Sequence, residues 1–455
     1  MEREKQCLED AIAPPRVIGA RHLQVALLFL VVNVSYLMRS NMSVAIVAMT
    51  DPDTSPNPDV PTYEWNDKSI ILTAFYVGYI IPQVTAGQLA KNYGPKWILT
   101  AAVLAGSLLT ILTPLVADLG SWPVSVSRVL QGVTQGFIFP SCHTLLSKWV
   151  PPCERARLCA FVYAGIPVGT ALTMTLTGFL SATWMGWPSA FYIFGAVGLI
   201  WTLTWVVLGR NSPAAHGGMD YREKLYIEKS LGQVVRTEAA ATPWKAILTS
   251  APVWALTAAY FAHGWGFSTL NTNVPSYMAK VLNFNIAGSG ILSAAPYLLF
   301  WLVSIIVSAI TDFVITRKYV TVGTARKVAN SIGLYVPAVA LIVLGLISDS
   351  KSDITIVTLV LLFIAIAING SAYSGYRVNH MDLSLAHAGV LMGITNTIAS
   401  ISSIIAPLLL HFIVTNENDP LQWATIFYIA APIYIVGNTI FLIFGSGETQ
   451  PWNGP

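Results

Sequence analysis

The chain has 455 residues, of which 54% are hydrophobic and only 10% charged, and its mean hydropathy is +0.61. A soluble domain carries about 25% charged residues, so this composition excludes an ordinary water-soluble fold and points to a polytopic membrane protein. The net charge of +3 says little by itself, because the placement of Lys and Arg along the chain sets orientation.

The first apolar run begins near His22, after a polar tail with four basic residues, and extends to about Met49 with Arg39 inside it. It is longer than a signal-peptide core and lacks a cleavage site, so it reads as an uncleaved first span. Runs of about 20 apolar residues separated by short polar turns predict twelve spans. They lie at 22–49, 69–90, 97–117, 122–147, 158–182, 188–209, 250–274, 286–310, 328–348, 354–375, 388–414 and 423–445. The long polar insertion at 210–249 contains DYREKLYIEKSLGQ, expected to form an amphipathic helix on the cytosolic surface. The predicted order is a tail (1–21), a six-helix bundle (22–209), a linker (210–249), a second six-helix bundle (250–445) and a tail (446–455). The fold class is an all-α membrane protein.

With the amino terminus inside, the cytosolic segments hold 20 Lys and Arg and the external loops hold 3. That asymmetry places both termini in the cytosol. The first external loop, DPDTSPNPDVPTYEWND, is acidic and proline-rich, as expected of a flexible segment. Asn33-Val-Ser and Asn41-Met-Ser match the glycosylation pattern but lie within span 1, so neither is an expected acceptor. Cys7, Cys142, Cys153 and Cys159 fall on the cytosolic side, where free thiols are expected, and their spacing matches no metal site.

The remaining two basic residues, Arg39 and Arg128, are inside spans, whereas all 22 Asp and Glu fall in tails, loops or span ends. Arg128 is about six residues into span 4, roughly 9 Å at helical rise, and Arg39 is at a similar depth. A charge there costs from ~2.5 kcal/mol upward and normally faces a cavity or a partner. Arginine stays protonated and presents a fork of donors that matches carboxylate or phosphate. Two such groups without a membrane carboxylate predict an anion between them. The alternative is that each is structural, bonded to backbone carbonyls or snorkelling to the surface.

Arg128, Gln131 and Gln135 share one helix face, and Tyr36, Arg39 and Ser43 repeat that spacing in span 1. Asn41 is about 200° around from Arg39. Gly132 and Gly136 form a small-xxx-small pair suited to close helix approach. His263, midway along span 7, is a candidate anion donor or proton carrier, or else a neutral packed histidine. His143 reads as structural or gating. Asn396, Tyr76 and Tyr79 fit either a cavity wall or helix packing. Gly165, Pro167 and Gly169, with Gly288 and Gly290, would permit bending. There is no nucleophile–base set, metal cluster, phosphate-cradling loop or ATP-binding motif. Enzymatic activity is therefore not expected, nor any cofactor beyond a co-transported Na+ or H+.

Several stretches resemble a known group. GQLAKNYGPK (Gly87 to Lys96) is similar to the loop between spans 2 and 3 of major facilitator transporters, with Lys91 where many members have an acid, and RVLQG resembles their span-4 arginine motif. FYVGYIIPQ, RVLQGVTQGFIFPSCHTLLSKWVPPCERARL, GWPSAFYIFGAVGLIW, NHMDLSLAHAGVLMGITNT and SGETQPW resemble the anion/cation symporter family, which includes sialin, the vesicular glutamate transporters and type I sodium–phosphate cotransporters. RSNMSVAIVAM resembles the insect-type phosphate cotransporters of that family. The resemblance implies two pseudo-symmetric bundles, alternating access and a substrate site between them. It also implies that Arg39 and Arg128 bind the substrate anion. Asp312, followed by Arg317 and Lys318, resembles the second copy of the gating loop. Gln135 stands where proton-coupled members have a glutamate, and Leu72 and His263 stand where the glutamate transporters have a histidine and an arginine.

The expected function is cation-coupled transport of inorganic phosphate or an organic anion. Tyr36, Arg39, Tyr76, Arg128, Gln135, His263 and Asn396 are the candidate substrate ligands, and Lys91, Asp312 and Arg317 the candidate gate. Glutamate transport and proton coupling through a span-4 carboxylate are disfavoured. The alternatives are a passive anion conductance and a non-transporting receptor with a transporter fold. A monomer in the plasma membrane is expected, with a small anion and the bilayer as partners and no nucleic acid.

Overall fold

A computed structural model describes residues 18–50, 54–65, 67–231, 241–280, 290–348, 355–416 and 419–454. Cys7 and Gly288 lie outside them. Among the described residues, nine helices are long and apolar enough to cross a membrane, and a bent pair makes a tenth. The remaining two crossings are the broken span 4 and span 7 (Ala251–Lys280). Spans 1, 3 and 6 are Ala20–Ala48, Pro95–Ala117 and Pro188–Leu208. Span 5 lies within Pro152–Ser181, and spans 8 to 12 are Gly290–Thr316, Val322–Ile347, Thr355–Leu383, Ala388–Ile413 and Pro420–Phe444. Leu112, Leu203, Val207, Ile306, Ile310, Val339 and Ile443 are exposed on the outside, while Ser, Thr, Asn and Gln side chains fill much of the interior. Exposed apolar side chains of that kind on helices long enough to span a bilayer suit lipid rather than water.

Local chemistry explains the breaks. Span 2 bends by 41° between Lys68–Ile80 and Gln83–Tyr93, and Pro82 at the bend cannot supply a helical N–H. Span 4 divides at Phe137 into Ser121–Gly136 and Ile138–Trp149, and Pro140 falls in the first turn of the second piece, where its missing donor is tolerated. Gly132 and Gly136 let span 4 press onto span 2. A side chain on Gly132 would meet the Phe75 carbonyl, and one on Gly136 would meet Pro82.

Span 10 departs from the predicted boundary. After Thr355–Asn369 the chain forms a 3-10 turn, Gly370–Ser374, and a further helix, Tyr376–Leu383. The predicted end at 375 corresponds to this irregular turn rather than to the membrane edge.

The two halves meet along spans 2 and 4 against span 11, and span 5 against span 8. The linker forms its expected helix at Tyr221–Leu231. Glu223 on that helix accepts from Arg21 Nη1 at 2.9 Å, which ties it to the start of span 1. The first external loop is anchored rather than free, at least over residues 54–65. Ser55 donates to the Thr183 carbonyl (3.0 Å), Asn57 donates to the Trp184 carbonyl (3.0 Å), and Trp187 Nε1 donates to the Pro61 carbonyl (2.8 Å). Tyr63 stacks on Trp65. Its aromatic residues supply the packing that its proline content concealed. Cys142, Cys153 and Cys159 are free thiols.

Candidate functional site

A small cavity lies between the halves, with a free volume of about 80 Å³. Span 1 contributes Tyr36 and Arg39, span 2 Tyr79, spans 4 and 5 Phe139 and Ile166. From the other half come Tyr260, His263, Gly264, Phe267, Tyr373, Arg377, Asn396, Ala399, Ser400 and Ser403. No Asp or Glu is among these lining residues.

Arg39 lies among four aromatic rings, its guanidinium carbon 5.3 Å from the Tyr36 ring centre, 4.9 Å from Phe75 and 4.8 Å from both Tyr76 and Tyr79. Each such contact contributes about 0.5–2 kcal/mol, which offsets part of the cost of burial without neutralising the charge. The cation therefore stays available to an anion.

Arg128 is placed differently from expectation. It lies outside the cavity lining, 3% exposed, behind Arg39. Its Nη1 donates to Gln131 Oε1 at 2.7 Å and its Nη2 to the backbone carbonyl of Arg39 at 3.1 Å. Gln131 in turn donates towards Thr110 and Thr113 on span 3, so the polar stripe of span 4 faces its own bundle. Gln135 accepts from Ser35 Oγ at 2.9 Å, also inside that bundle. Neither Gln135 nor Tyr76 lines the cavity, although Tyr76 touches it through Arg39. Shared sequence spacing establishes a common face but not which neighbour that face meets. Ser43 is exposed and donates to the Ser40 carbonyl, and Asn41 accepts from Thr177.

The second cavity arginine is Arg377, two residues beyond the predicted end of span 10 at 375. The turn at Gly370–Ser374 and the helix that follows carry Tyr373, Tyr376 and Arg377 back inside. A side chain at Gly375 would meet Asn330 Cβ at 2.7 Å, so glycine there permits the close approach of span 9. The available signal was that Tyr376–Leu383 contains neither glycine nor proline and places Val378 and Met381 on a helical repeat. Arg377 is 7% exposed, and its Nε and Nη1 have no hydrogen-bond partner among the described residues. Its guanidinium lies 4.5 Å from the Tyr373 ring centre, 4.7 Å from Tyr163 and 5.3 Å from Tyr260.

His263 and Asn396 line the cavity. His263 packs against Phe267, Tyr373 and Tyr376, and its Nε2 has no partner among the described residues. Asn396 also packs between helices, donating to Tyr79 Oη at 2.9 Å and Gln83 Oε1 at 2.6 Å and accepting from Tyr260 Oη at 3.1 Å. His143 is a contact between halves: it bonds Tyr163 Oη on one side and, through Nε2, the Arg377 carbonyl on the other.

On the side assigned as cytosolic, the halves are locked together. Asp382 accepts from Arg155 Nη1 at 3.0 Å across the interface and from Arg326 Nε at 2.7 Å. Asp312 accepts from the backbone N–H groups of Ala156 and Arg157 at 2.9 and 2.8 Å. Those groups open a helix, where N–H donors lack intrahelical partners and the dipole favours an anion. Lys91 Nζ lies 3.2 Å from His387 Nδ1 and also contacts Thr242. Arg317 stands apart from this closure: it is exposed, over the Phe313 ring. The cations that bind Asp382 are Arg155, across the interface, and Arg326, within the same half, and their burial was hidden by their place in polar loop sequence. Spans 2 and 11 cross closely at Gly87, where a side chain would meet the Gly389 carbonyl and the Val390 Cα at 2.7 Å, and a side chain on Gly389 would meet Thr144 of span 4.

A molecule whose described residues form helices, with an apolar exterior, ion pairs between its halves at one end and a polar cavity between them, has the form of a membrane transporter. Residues 28–407 match the Major Facilitator Superfamily. The chain is 38% identical to a Drosophila melanogaster protein named "Putative inorganic phosphate cotransporter", over 97% of this chain and 88% of that one. It is 35% identical to human sialin (97% and 92%) and 33% identical to human vesicular glutamate transporter 2 (93% and 73%). A solved structure of a proton:xylose symporter superposes with a TM-score of 0.71 at 14% identity, over 94% of this chain and 98% of that one, and shares the fold. The chain belongs to the major facilitator superfamily, in the group that includes sialin and the vesicular glutamate transporters.

Proposed function

We propose that this protein moves a small anion across a membrane by alternating access, coupled to a Na+ or H+ gradient. The observation that carries the reading is the cavity itself. One arginine from each half lines it, aromatic rings surround both, and no carboxylate among the described residues lines it. The phosphate and glutamate in the names of two relatives are consistent with anionic substrates. The volume of about 80 Å³ is well below the ~300–1,000 Å³ typical of pockets for drug-sized ligands, which favours a compact anion in this conformation.

In this cycle the anion enters from the side opposite the closed gate and docks between Arg39 and Arg377. Arg128 acts behind the site, by holding the backbone of Arg39. Movement then separates Asp382 from Arg155 and Asp312 from the helix start at Arg155, and the cavity opens to the cytosol. His263 offers an imidazole at the cavity wall for a coupled proton, and Na+ is the other coupling ion. The plasma membrane is the proposed location.

The test is uptake by the purified chain in proteoliposomes, with phosphate, sialate, glutamate and urate supplied separately and the sodium and pH gradients varied one at a time. Arg39→Ala should abolish uptake of the accepted anion; uptake at the unmodified rate would refute the assignment.

A further inference from the structure

We infer that Arg377 makes the cavity a site for compact dianions, and that this residue separates divalent from monovalent substrates. The inference rests on the reading of the cavity as the anion site. Arg377 is more than nine-tenths buried, with two guanidinium donors unpartnered among the described residues. The nearest acid along its helix, Asp382, is already shared between Arg155 and Arg326. Aromatic faces soften the burial of a cation but leave its charge in place.

The two cations belong to opposite halves and are joined by one hydrogen-bonded chain. Arg39 sits against the Tyr79 ring, Asn396 donates to Tyr79 Oη, Tyr260 donates to Asn396 Oδ1, and the Tyr260 ring lies against Arg377. This chain fixes the rings on which the guanidinium groups rest. A monoanion can neutralise one arginine and leaves the other buried and unmet. A dianion answers both, and charge-assisted forks of this kind match oxyanion geometry. The volume of about 80 Å³ selects compact species, so the class is a tetrahedral oxyanion in its divalent form. His263 Nε2 has no partner among the described residues and lines the same space, available to a further oxygen.

The experiment uses the full chain in proteoliposomes with the membrane potential clamped. Sulfate serves as the permanent dianion and lactate as the compact monoanion. The unmodified protein should take up sulfate in preference to lactate. Arg377→Gln should lower sulfate uptake at least about tenfold, the usual scale for leaving a buried charge partner unmet, and should lower the sulfate-to-lactate ratio. Arg377→Lys should restore part of the sulfate rate. An unchanged sulfate-to-lactate ratio in Arg377→Gln, or preference for lactate in the unmodified protein, overturns the inference. Arg39→Gln should lose both anions; if it transports both normally, the underlying site is wrong rather than its charge preference. Sulfate should also raise the thermal stability of the detergent-solubilised protein more than lactate does. Equal shifts would count against the inference even if the Arg377 variants failed to fold.

Discussion

Arg128 Nη2 donates to the backbone carbonyl of Arg39 at 3.1 Å, so one buried arginine holds the main chain that carries the other. The two therefore act in series rather than as opposing jaws. A hydrogen bond from a charged donor contributes about 1.5–3 kcal/mol. Arg128→Gln should accordingly raise the half-saturating substrate concentration by about 10–100-fold, through displacement of Arg39. The concentration dependence of uptake measures this. A fall in maximal rate alone, with half-saturation unchanged, would show that Arg128 does not position the site.

The gate gives a second expectation. Asp382 bonds Arg155 across the interface and Arg326 within its own half. Removing one partner of a buried pair costs about 3–5 kcal/mol, because the other charge stays buried. Asp382→Asn should therefore shift the population away from the closed cytosolic gate. In a protein with Cys7, Cys153 and Cys159 replaced by Ser, Asp382→Asn should accelerate alkylation of Cys142, fully buried here. Unchanged labelling would mean that Asp382 is not part of the lock.

Backbone contact gives a third. A side chain on Gly393 would fall 3.0 Å from Val84 Cα and 2.9 Å from the Gln83 carbonyl carbon. Neither neighbour is a side-chain end that can rotate away. Gly393→Val should hold the gate open and stop transport while the protein still reaches the membrane. Wild-type flux in this variant would show that spans 2 and 11 need not approach this closely.

The gate should also respond to acid. Burial, with the Lys91 ammonium beside it, pushes His387 down to about 4 in the closed state, against about 6.5 for an exposed imidazole. Closed His387 binds fewer protons than open His387 between those values. Its contribution to closure is thus complete above about pH 6.5 and is lost as pH falls towards 4. Lowering cytosolic pH from about 7.5 to 5.5 should increase Cys142 labelling relative to that of His387→Gln at the same pH, a ratio that cancels the fall in thiolate fraction. His387→Gln, which cannot titrate, should flatten that dependence, and an unaltered pH profile would remove His387 from the gate. The Trp452 ring, 6.1 Å from His387, is the other group against it.

Much of the fold could be read from the chain because the bilayer imposes a one-dimensional rule. A span needs about 20 apolar residues, and the flanking Lys and Arg set its direction. The same rule made Arg39 conspicuous, since a lone charge in an apolar run is visible without any partner. It failed at Arg377 for the converse reason. Gly370 and Gly375 interrupt span 10, and polar residues follow, so the run ended by composition before the helix ended in space. Arg155, Arg326 and Asp382 were hidden in the same way, as loop charges that the fold buries against one another.

The sequence by itself determined the membrane architecture, the family, the excess of buried positive charge and the identity of Arg39, because each depends on which residues occur along one helix. Only the tertiary structure decided that Arg377 shares the cavity, that Arg128 stands behind it, and that Arg155 and Arg326 close the gate. Those statements concern pairs of residues far apart in the chain. Packing between helices, not spacing along them, sets which face meets which.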